Sequence, residues 1–497
     1  MLAAARTVVA FGIILQVAGF GKLLVIADYF GAGPLLDAYY LGLVIPTFLN
    51  GVSAGIFQSA FVPAYVKARA RGDDATARAL ASVAFSWTAV AFGAVAALLT
   101  ALRSVALPVL SQSTSPDTRA ALQYAFALLV WTTPLNAVAD AGALLLNAEG
   151  RFAAAAAAPL LNVLVGVIVL VAWRGNAIDA LVWSLLAGLA AQALVVLIAV
   201  RDAGIRLRPQ FTLPATLPRM LRTIALPVLL SVVLGNLIPA FVQMVSVRAG
   251  TGAISAMGYA SRLHNSLVQA VVLSVSVVLL PHFARLIAEG RNAELRATLE
   301  RVFAATLLFA VAALVLVAAS GPLLIEVLLE HGHFTAADTQ LVARIWLALT
   351  AGLLGATWGI FLVRLFQAQQ HIWVIFSFGC VSVLANVAFA FAFLPLWGVV
   401  GVALANSLAY ALIMWLCHRR ADRTLGRVLG VSAHGFVART VLANLAAYSA
   451  AMWWENLLER SSPLAVLTGQ FLIVAAANML VARTPPLSVP VTALLRR

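Results

Sequence analysis

Residues 31–78 read GAGPLLDAYYLGLVIPTFLNGVSAGIFQSAFVPAYVKARARGDDATAR, and residues 249–296 read AGTGAISAMGYASRLHNSLVQAVVLSVSVVLLPHFARLIAEGRNAELR. Each copy begins with a Gly-rich loop, continues as a long apolar helix and ends with a proline and a basic loop. Apolar helices align readily by chance, but the proline-to-basic spacing does not, so we predict an internal repeat at a fixed offset of 218 residues. Membrane proteins made of two such halves usually bind their cargo between them. The matched positions are Ala38 and Ala256, Pro63 and Pro281, Lys67 and Arg285, Gly72 and Gly290, and Arg78 and Arg296.

The composition is that of a polytopic membrane protein. Hydrophobic residues make up 63% of the 497 residues, charged residues make up only 10%, and the mean hydropathy is +1.01. So few charges cannot cover so much apolar surface in a soluble protein. A spanning helix needs about 20 apolar residues, and about fourteen such runs can be identified. Because the runs are unbroken and do not alternate, they predict helices. The runs are 7–28, 38–66, 79–102, 120–146, 155–173, 178–200, 220–247, 255–284, 302–319, 340–366, 373–394, 398–417, 435–454 and 464–482.

The distribution of charge indicates a membrane topology and argues against a nucleic-acid partner. The net charge is +14, and most of the 32 Lys and Arg lie at the termini and in alternate connections. The clusters lie at 67–78, 201–222, 285–301 and 419–439. The positive-inside rule then places both termini in the cytoplasm of an inner-membrane protein. We also expect the basic loops to contact anionic lipid headgroups.

The predicted spans group into three parts. Residues 1–200 form an N-terminal lobe of six spans, and residues 223–417 form a C-terminal lobe of six. An Arg-rich cytoplasmic linker, 201–222, joins them, and residues 418–497 add a helix pair and a tail. An even number of spans per lobe gives both repeats the same orientation, so we expect parallel repeats related by an axis along the membrane normal.

Charged residues inside the predicted spans are the first candidates for a site. They are Lys22, Asp140 and Arg262, together with Asp37, which opens span 2. A charge inside a bilayer costs at least ~2.5–3.5 kcal/mol on insertion scales, so it normally faces a partner or a watery cavity. Lys22 and Arg262 favour a cationic cavity that binds an anionic, phosphate-bearing group. Alternatively, Lys22 pairs with Asp28 or Asp37, or extends to the interface.

The remaining candidates each allow two interpretations. Asp37 is either a gate or counter-ion, or the N-cap of its helix. Asp140 is either a proton or ion site, or a hydrogen-bonded core acid, and Asn386 is a further candidate for an ion-binding or gating role. Asn50 and Gln58 either line a cavity or hold helices together by hydrogen bonds.

Catalytic and metal-binding motifs are absent from the sequence. It contains no Walker loop, no HExxH, no GxSxG and no suitably spaced pair of carboxylates. The two cysteines, Cys380 and Cys417, lie in or beside predicted spans and indicate neither a disulfide nor a metal site. We therefore predict a transporter without a cofactor. The free energy for transport would come from the membrane potential, an ion gradient or consumption of the product.

A set of short motifs resembles one known family. They are Gly19-Phe20, Phe30-Gly31-Ala32-Gly33, Asp37-Ala38-Tyr39-Tyr40, Pro46, Phe57-Gln58-Ser59-Ala60-Phe61-Val62-Pro63, Leu146-Asn147, Arg151-Phe152, Pro159-Leu160-Leu161-Asn162, Tyr259-Ala260, Arg262-Leu263, Leu279-Leu280-Pro281 and Gly332-His333-Phe334-Thr335-Ala336-Ala337-Asp338-Thr339. Together they resemble the MurJ/MviN lipid II flippases over nearly the whole chain.

The resemblance implies both an architecture and an activity. The architecture is that of the multidrug/oligosaccharidyl-lipid/polysaccharide exporter superfamily: fourteen helices, with two six-helix lobes in a V around a cationic cavity. The last two helices form a groove for a polyprenyl tail. The implied activity is translocation of an undecaprenyl-pyrophosphate-linked glycan from the cytoplasmic to the periplasmic leaflet. The resemblance favours a monomer, and cell-wall or polysaccharide synthesis enzymes are expected partners.

The chain departs from the family pattern in its cavity charges. The family usually has two arginines in span 1, where this sequence has Gln16 and Lys22, and neutral residues at 50–55 replace an Arg and a Glu of span 2. The acidic residues flanking the span 8 arginine and those of the sodium site of some members are also not evident. Asp37 and Arg262 are retained. The resemblance thus places cargo binding on Gln16, Lys22 and Arg262 in a cavity of reduced charge.

The reduced charge leaves several functions open. The cargo is lipid II or another lipid-linked saccharide of an exopolysaccharide pathway. A drug/cation antiporter on the same fold would prefer an acidic cavity, whereas the intramembrane charges here are mainly basic. A non-transporting scaffold for a glycan-synthesis complex is the alternative from another class. An integral-membrane glycosyltransferase is disfavoured because no loop carries an acidic catalytic pair.

Overall fold

A computed structural model of the chain describes residues 2–110, 116–173, 177–212, 226–458 and 462–487. Within these ranges every regular element is a helix. The prediction of an all-α protein is therefore confirmed.

The helices follow one another through short turns. In the first half they are α1 (Leu2–Phe30), α2 (Pro34–Ile56), α3 (Val62–Ala70), α4 (Asp74–Ala101), α5 (Arg103–Leu110), α6 (Pro116–Leu129), α7 (Thr132–Ala148), α8 (Phe152–Ala172), α9 (Ala177–Asp202) and α10 (Leu226–Ser246). In the second half they are α11 (Ala253–Ala288), α12 (Asn292–Leu329), α13 (Ala336–Thr350), α14 (Leu353–Ala368), α15 (Ile372–Leu425), α16 (Val431–Leu458) and α17 (Pro463–Ala482).

The long apolar helices make this a multi-pass membrane protein. Among the described residues, 10 helices are long and apolar enough to cross a membrane, or up to 11 if the bent pair of α13 and α14 forms one span. The predicted spans 373–394 and 398–417 both lie in α15, which is broken at Gly398 (φ 56°, ψ −137°). Because a kinked helix can contain two crossings, the count of fourteen spans stays a prediction.

The chain divides into two compact units, Met1–Ser255 and Ala256–Arg497. This division falls within the first turn of α11. The boundary predicted between the lobes lies instead in the linker 201–222. Compactness and sequence repetition are different properties, so the repeat layout stays a prediction and each unit is described separately below.

In unit 1 two glycines allow α2 and α10 to pack closely. A Cβ added at Gly51 would overlap the Asn236 side chain, and one at Gly55 would lie 2.5 Å from Val232 Cγ1. This small-xxx-small spacing lets helix backbones approach in a membrane, where burial of apolar surface gives no drive for association. Asn236 of α10 lies against Gly51 of α2, and its Nδ2 donates to the Val232 carbonyl of its own helix at 2.8 Å.

The α2 helix continues into α3 through a π-helix, Phe57–Phe61. The Val62 N–H donates to the Phe57 carbonyl, and Pro63 follows without an N–H of its own. Removal of one donor loosens the α-helical ladder at this point. π-Helical turns of this kind are frequent at functional sites.

An ionic cluster fixes the α3 end of this segment to the turn between α7 and α8. Arg69 donates from Nε and Nη2 to the two carboxylate oxygens of Glu149, both at 2.8 Å, and the Tyr65 hydroxyl donates to Glu149 Oε1 at 2.5 Å. Burial acts to raise the pKa of Glu149, but the hydrogen bonds from Arg69 and Tyr65 outweigh it and lower that pKa. The hydrogen bonds that Arg69 donates to Glu149 and Asp74 raise the pKa of Arg69 itself.

In unit 2 polar contacts fix the last two helices. Ser320 of α12 donates to Gln470 of α17 at 2.7 Å, and Gln470 donates to Glu455 of α16 at 3.1 Å. Asn444 and Asn478 exchange two hydrogen bonds, both at 3.0 Å. These bonds hold α16 and α17 together in hydrocarbon, where a polar group without a partner is costly.

Candidate functional site

Asp37 is buried, with 4% of its surface exposed, and it caps a distant helix. Its Oδ2 accepts the Gly252 N–H at 2.5 Å, and its Oδ1 accepts the Ser255 N–H at 2.8 Å and the Ser255 hydroxyl at 2.5 Å. These donors belong to the first turn of α11, where N–H groups lack helical partners and favour a negative charge. The N-cap of α2 itself is Gly33, without a side-chain bond.

Close backbone packing positions this cap. Gly252 has φ +82°, and a Cβ there would lie 2.6 Å from the Ala32 carbonyl oxygen. Only glycine combines this left-handed conformation with so close an approach. The loop before α11 is therefore shaped to meet the loop before α2.

A polar stripe runs along α11 in unit 2. Arg262, Asn265, Ser266 and Gln269 are all exposed, and their spacing of three, four and seven residues puts them on one helix face. No ion pair of the described residues includes Arg262. His264 points elsewhere and is buried, with no hydrogen-bond partner for its Nδ1 within the described structure. The exposed arginine of this polar stripe is suited to binding an anionic group.

On α1, Gln16 is exposed and Lys22 is half-buried. Their spacing of six positions puts the two side chains on different helix faces. Lys22 extends towards α8, because a Cβ added at Gly166 would lie 2.5 Å from the Lys22 Nζ and 3.0 Å from the Ser184 carbonyl oxygen. Gly166 thus provides the space for the ammonium group.

The uncharged candidates of unit 1 differ in exposure. Asn50 is half-buried, and its Oδ1 is fully buried without a hydrogen-bond partner among the described residues. Gln58 is exposed in the π-helix. Asp140 of α7 is half-buried, and none of the ion pairs in the described ranges includes it.

Asn386 lies in unit 2 and is 1% exposed. Its Nδ2 donates to Asn406 Oδ1 at 2.9 Å across the two arms of α15. Its own Oδ1 is buried, with no hydrogen-bond partner in the part of the chain that is described. No group of three or more His, Cys, Asp or Glu side chains suited to a metal is found among those residues.

Several contacts were not anticipated from the sequence. Ser255, Asn406 and Thr133 lie outside the set of site residues that the sequence predicts, although the offset of 218 residues places Asp37 on Ser255. That offset was a usable signal for Ser255. Thr133 gives no such signal, because a lone threonine in an apolar helix looks ordinary.

The first part of the predicted linker packs along α4 and is held there by hydrogen bonds. The Arg208 N–H donates to Ser82 Oγ at 3.2 Å and the Gln210 N–H donates to Ser86 Oγ at 2.9 Å. The Trp87 indole N–H donates to the Phe211 carbonyl at 3.1 Å. Along this extended segment Ile205 and Leu207 pack inward, whereas Arg206 and Arg208 are exposed.

Comparisons with known proteins agree on one family. The family model described as lipid II flippase MurJ matches residues 26–468. The probable lipid II flippase MurJ of Rhizobium meliloti (strain 1021) is 29% identical over 489 residues, which covers 92% of this chain and 88% of that protein. The lipid II flippase MurJ of Burkholderia cenocepacia is 28% identical over 424 residues, which covers 80% of this chain and 79% of that protein.

Solved structures show the same fold. A lipid II flippase MurJ in an inward closed conformation has a TM-score of 0.81 at 19% identity, covering 96% of this chain and 98% of that one. An inward-facing multidrug resistance MATE transporter of the MOP superfamily has a TM-score of 0.71 at 13% identity, and the match covers 85% of this chain and 98% of that one. The resemblance stated from the motifs is confirmed: the chain is a multi-pass protein of the bacterial inner membrane and belongs to the MurJ family of lipid II flippases.

Proposed function

We propose that this protein translocates a polyprenyl-pyrophosphate-linked glycan, lipid II or a related lipid-linked saccharide, by alternating access. The observation that carries the proposal is the polar stripe of α11. Arg262 is exposed there beside Asn265, Ser266 and Gln269, inside the predicted span 255–284. An arginine in this setting binds a pyrophosphate through two parallel hydrogen bonds, and the neutral groups beside it suit a sugar.

The reduced cavity charge bears on the choice of cargo. Gln16 is exposed on α1 but uncharged, and the Lys22 ammonium lies against Gly166. Arg262 is then the main cation offered to the cargo. A single arginine suffices for a pyrophosphate but offers little to further acidic groups. A glycan less acidic than that of lipid II is therefore the second candidate cargo.

Asp37 provides the element that must change during transport. Its carboxylate binds the first turn of α11, the same helix that carries Arg262 two turns later. Any tilt of this helix relative to α2 breaks three hydrogen bonds, and reversal restores them. Such a contact favours one of two discrete states, as alternating access requires.

The linker supports a role for anionic lipids as partners. Arg206 and Arg208 are exposed on the linker segment that packs along α4, the helix that carries the exposed Trp87. Tryptophan favours the membrane interface, and cytoplasmic cations near it attract anionic headgroups. The proposal therefore locates the linker at the headgroup layer of the cytoplasmic leaflet.

The test is complementation in cells depleted of their own lipid II flippase, with lipid II translocation assayed directly. Rescue by wild type and failure of Arg262→Ala at equal membrane levels would support the cationic site. Failure of the well-expressed wild type would direct the search to other polyprenyl-linked glycans. Rescue by Arg262→Ala, with failure of variants in the linker 201–222, would favour a non-transporting scaffold.

A further inference from the structure

An apolar cavity of about 350 Å³ opens on the surface of unit 1, and the proposed function leaves it unused. It lies between α9 and the segment that contains α6 and α7. A volume of this size is at the lower end of the ~300–1,000 Å³ range of ligand pockets. The lining includes Leu128, Trp131, Leu135, Trp183, Ala187 and Ala190.

The α9 wall of the cavity belongs to an exposed apolar face. Trp183, Ala187 and Ala190 are four and seven residues apart and therefore share one face of the helix. The two alanines leave space because their side chains are single methyl groups. The same face continues with Leu194 and Ile198, which are 59% and 50% exposed. Large apolar side chains exposed along a spanning helix face hydrocarbon, so the cavity opens towards lipid.

The chemistry of the lining selects an apolar occupant. Its side chains are aliphatic or aromatic, and the indole nitrogens of Trp131 and Trp183 are their polar atoms. A water molecule needs two to four polar partners, whereas an apolar cavity stays dry or binds an apolar group. A hydrocarbon chain from the surrounding bilayer meets this condition.

A polar cluster adjoins the cavity at one end. The indole of Trp183, which lines the cavity, is hydrogen-bonded to the Tyr124 hydroxyl. That hydroxyl donates in turn to Asp179 Oδ1. Asp179 precedes Trp183 by four residues, so it lies one turn beyond the apolar lining. Tyr124 stands in the same relation to Leu128 on α6.

The cluster lies near the start of two spans. Asp179 belongs to the first turn of α9, and Tyr124 lies within the first two turns of the apolar span Thr118–Ala148. On the predicted topology, spans 4 and 6 both begin at the periplasmic side. Tyrosine and tryptophan favour the membrane–water interface. The cluster is therefore at the headgroup level of the periplasmic leaflet, and the cavity is at the level of the acyl chains.

We infer that this cavity binds a phospholipid with a primary-amine headgroup from the periplasmic leaflet. One acyl chain fills the apolar cavity, and the ammonium group donates to the Asp179 carboxylate. Such a hydrogen bond is strengthened by both charges, whereas an anionic headgroup would be repelled. No ion pair of the described residues includes Asp179, and a carboxylate can accept further bonds beside the one from Tyr124. Binding of this lipid does not depend on the identity of the cargo.

The experiment measures lipid binding to the purified full-length protein in detergent by native mass spectrometry. The probes are dioleoyl phosphatidylethanolamine and dioleoyl phosphatidylcholine at equal concentrations. Both have the same acyl chains, phosphate and net charge, so the basic loops do not discriminate between them. They differ in the N–H donors of the ammonium group, which the choline lipid lacks. We expect wild type to bind the ethanolamine lipid roughly tenfold more tightly.

Matched variants locate the headgroup and the acyl chain. Asp179→Asn removes the charge at nearly constant volume and should bind the two lipids equally. Asp202→Asn makes the same change at the other end of α9 and should keep the preference. Ala190→Phe occupies the cavity and should lose the tightly bound lipid, whereas Ala94→Phe at an exposed position of α4 should keep it. Thermal unfolding verifies that each variant is folded.

Three results would overturn the inference. Equal binding of both lipids by wild type would make the cavity an unselective site for acyl chains. Loss of the preference in Asp202→Asn but not in Asp179→Asn would assign it to another part of the surface. Undecaprenyl phosphate that displaces the ethanolamine lipid equally well from wild type and Asp179→Asn would assign the cavity to a polyprenyl tail.

Discussion

Asp37 and Ser255 are in direct contact although they lie 218 residues apart, which is the offset of the predicted repeat. The Asp37 carboxylate accepts both the backbone N–H and the hydroxyl of Ser255. The contact is chemically asymmetric, because Asp37 supplies the acceptor and Ser255 supplies the donors at a helix start.

This asymmetry leads to a prediction for Asp37→Ala. The variant leaves the N–H groups of Gly252 and Ser255 without their acceptor, and loss of a cap of this kind costs typically ~1 kcal/mol, up to ~2. Ser255→Ala removes one donor but keeps the backbone bond, so we expect a smaller loss. Denaturant unfolding in a fixed detergent measures both. Equal stability of wild type and Asp37→Ala would contradict the capping role.

Arg262 tests the cationic site. A hydrogen bond to a charged group contributes ~1.5–3 kcal/mol, so Arg262→Ala should lower translocation by roughly tenfold to a hundredfold. Arg262→Lys keeps the charge but loses the planar pair of donors, and we expect an intermediate rate. The assay is direct lipid II translocation at matched membrane levels. Asn265→Ala on the same stripe is the control, because it removes no charge and should have the smaller effect.

Lys22 and Gly166 decide how the span 1 cation acts. A Cβ at Gly166 would meet the Lys22 Nζ, so Gly166→Ala must displace the ammonium group. If Lys22 acts from its position against α8, Gly166→Ala should lower translocation about as much as Lys22→Ala. If Lys22 instead leaves this position to bind cargo, Gly166→Ala should leave translocation near wild type. The double variant removes the overlap with the Lys22 Nζ but keeps the 3.0 Å approach to the Ser184 carbonyl oxygen, so any further loss relative to Lys22→Ala measures that backbone contact.

The fold was largely predictable from the sequence, whereas the site was predictable only in part. Long apolar runs report burial in lipid directly, so the helical class followed from composition. The predicted boundary between the spans 373–394 and 398–417 coincides with the break of α15 at Gly398. Lys22 and Asp140 stood out because a charge in an apolar run is costly. Ser53 and Thr133 did not, because small hydroxyl residues are common in membrane helices and only their missing partners reveal them.

Helix packing gives a stability prediction with an internal control. A methyl group at Gly51 would overlap Asn236, so Gly51→Ala should destabilise unit 1 by ~1–3 kcal/mol through overpacking. Gly93 of α4 has nothing within 4 Å of an added Cβ. Gly93→Ala should therefore be neutral, or stabilising by up to ~1 kcal/mol, because alanine favours the helix. Thermal unfolding compares the two, and an equal response would contradict close packing of α2 on α10.

The ionic cluster at the end of α3 predicts a pH dependence of stability. The pKa of Glu149 is lowered in the folded protein by the bonds from Arg69 and Tyr65. A lowered acid pKa means that the unfolded chain binds the proton more tightly, so the stabilisation is present above pH 4.5, the ordinary value, and is lost as pH falls through the folded value. Arg69 is 44% exposed, which limits the contribution to at most ~1 kcal/mol.

Glu149→Gln keeps the size of the side chain but removes this titration. Wild type should exceed the variant in Tm above pH 4.5, and the difference should shrink on acidification because protonated Glu149 also lacks the charge. Glu289→Gln is the control, because Glu289 binds Arg291 within one exposed turn and joins no separate helices. A difference between wild type and Glu149→Gln that stays constant with pH would assign the effect to packing of the Tyr65 hydroxyl rather than to the charge.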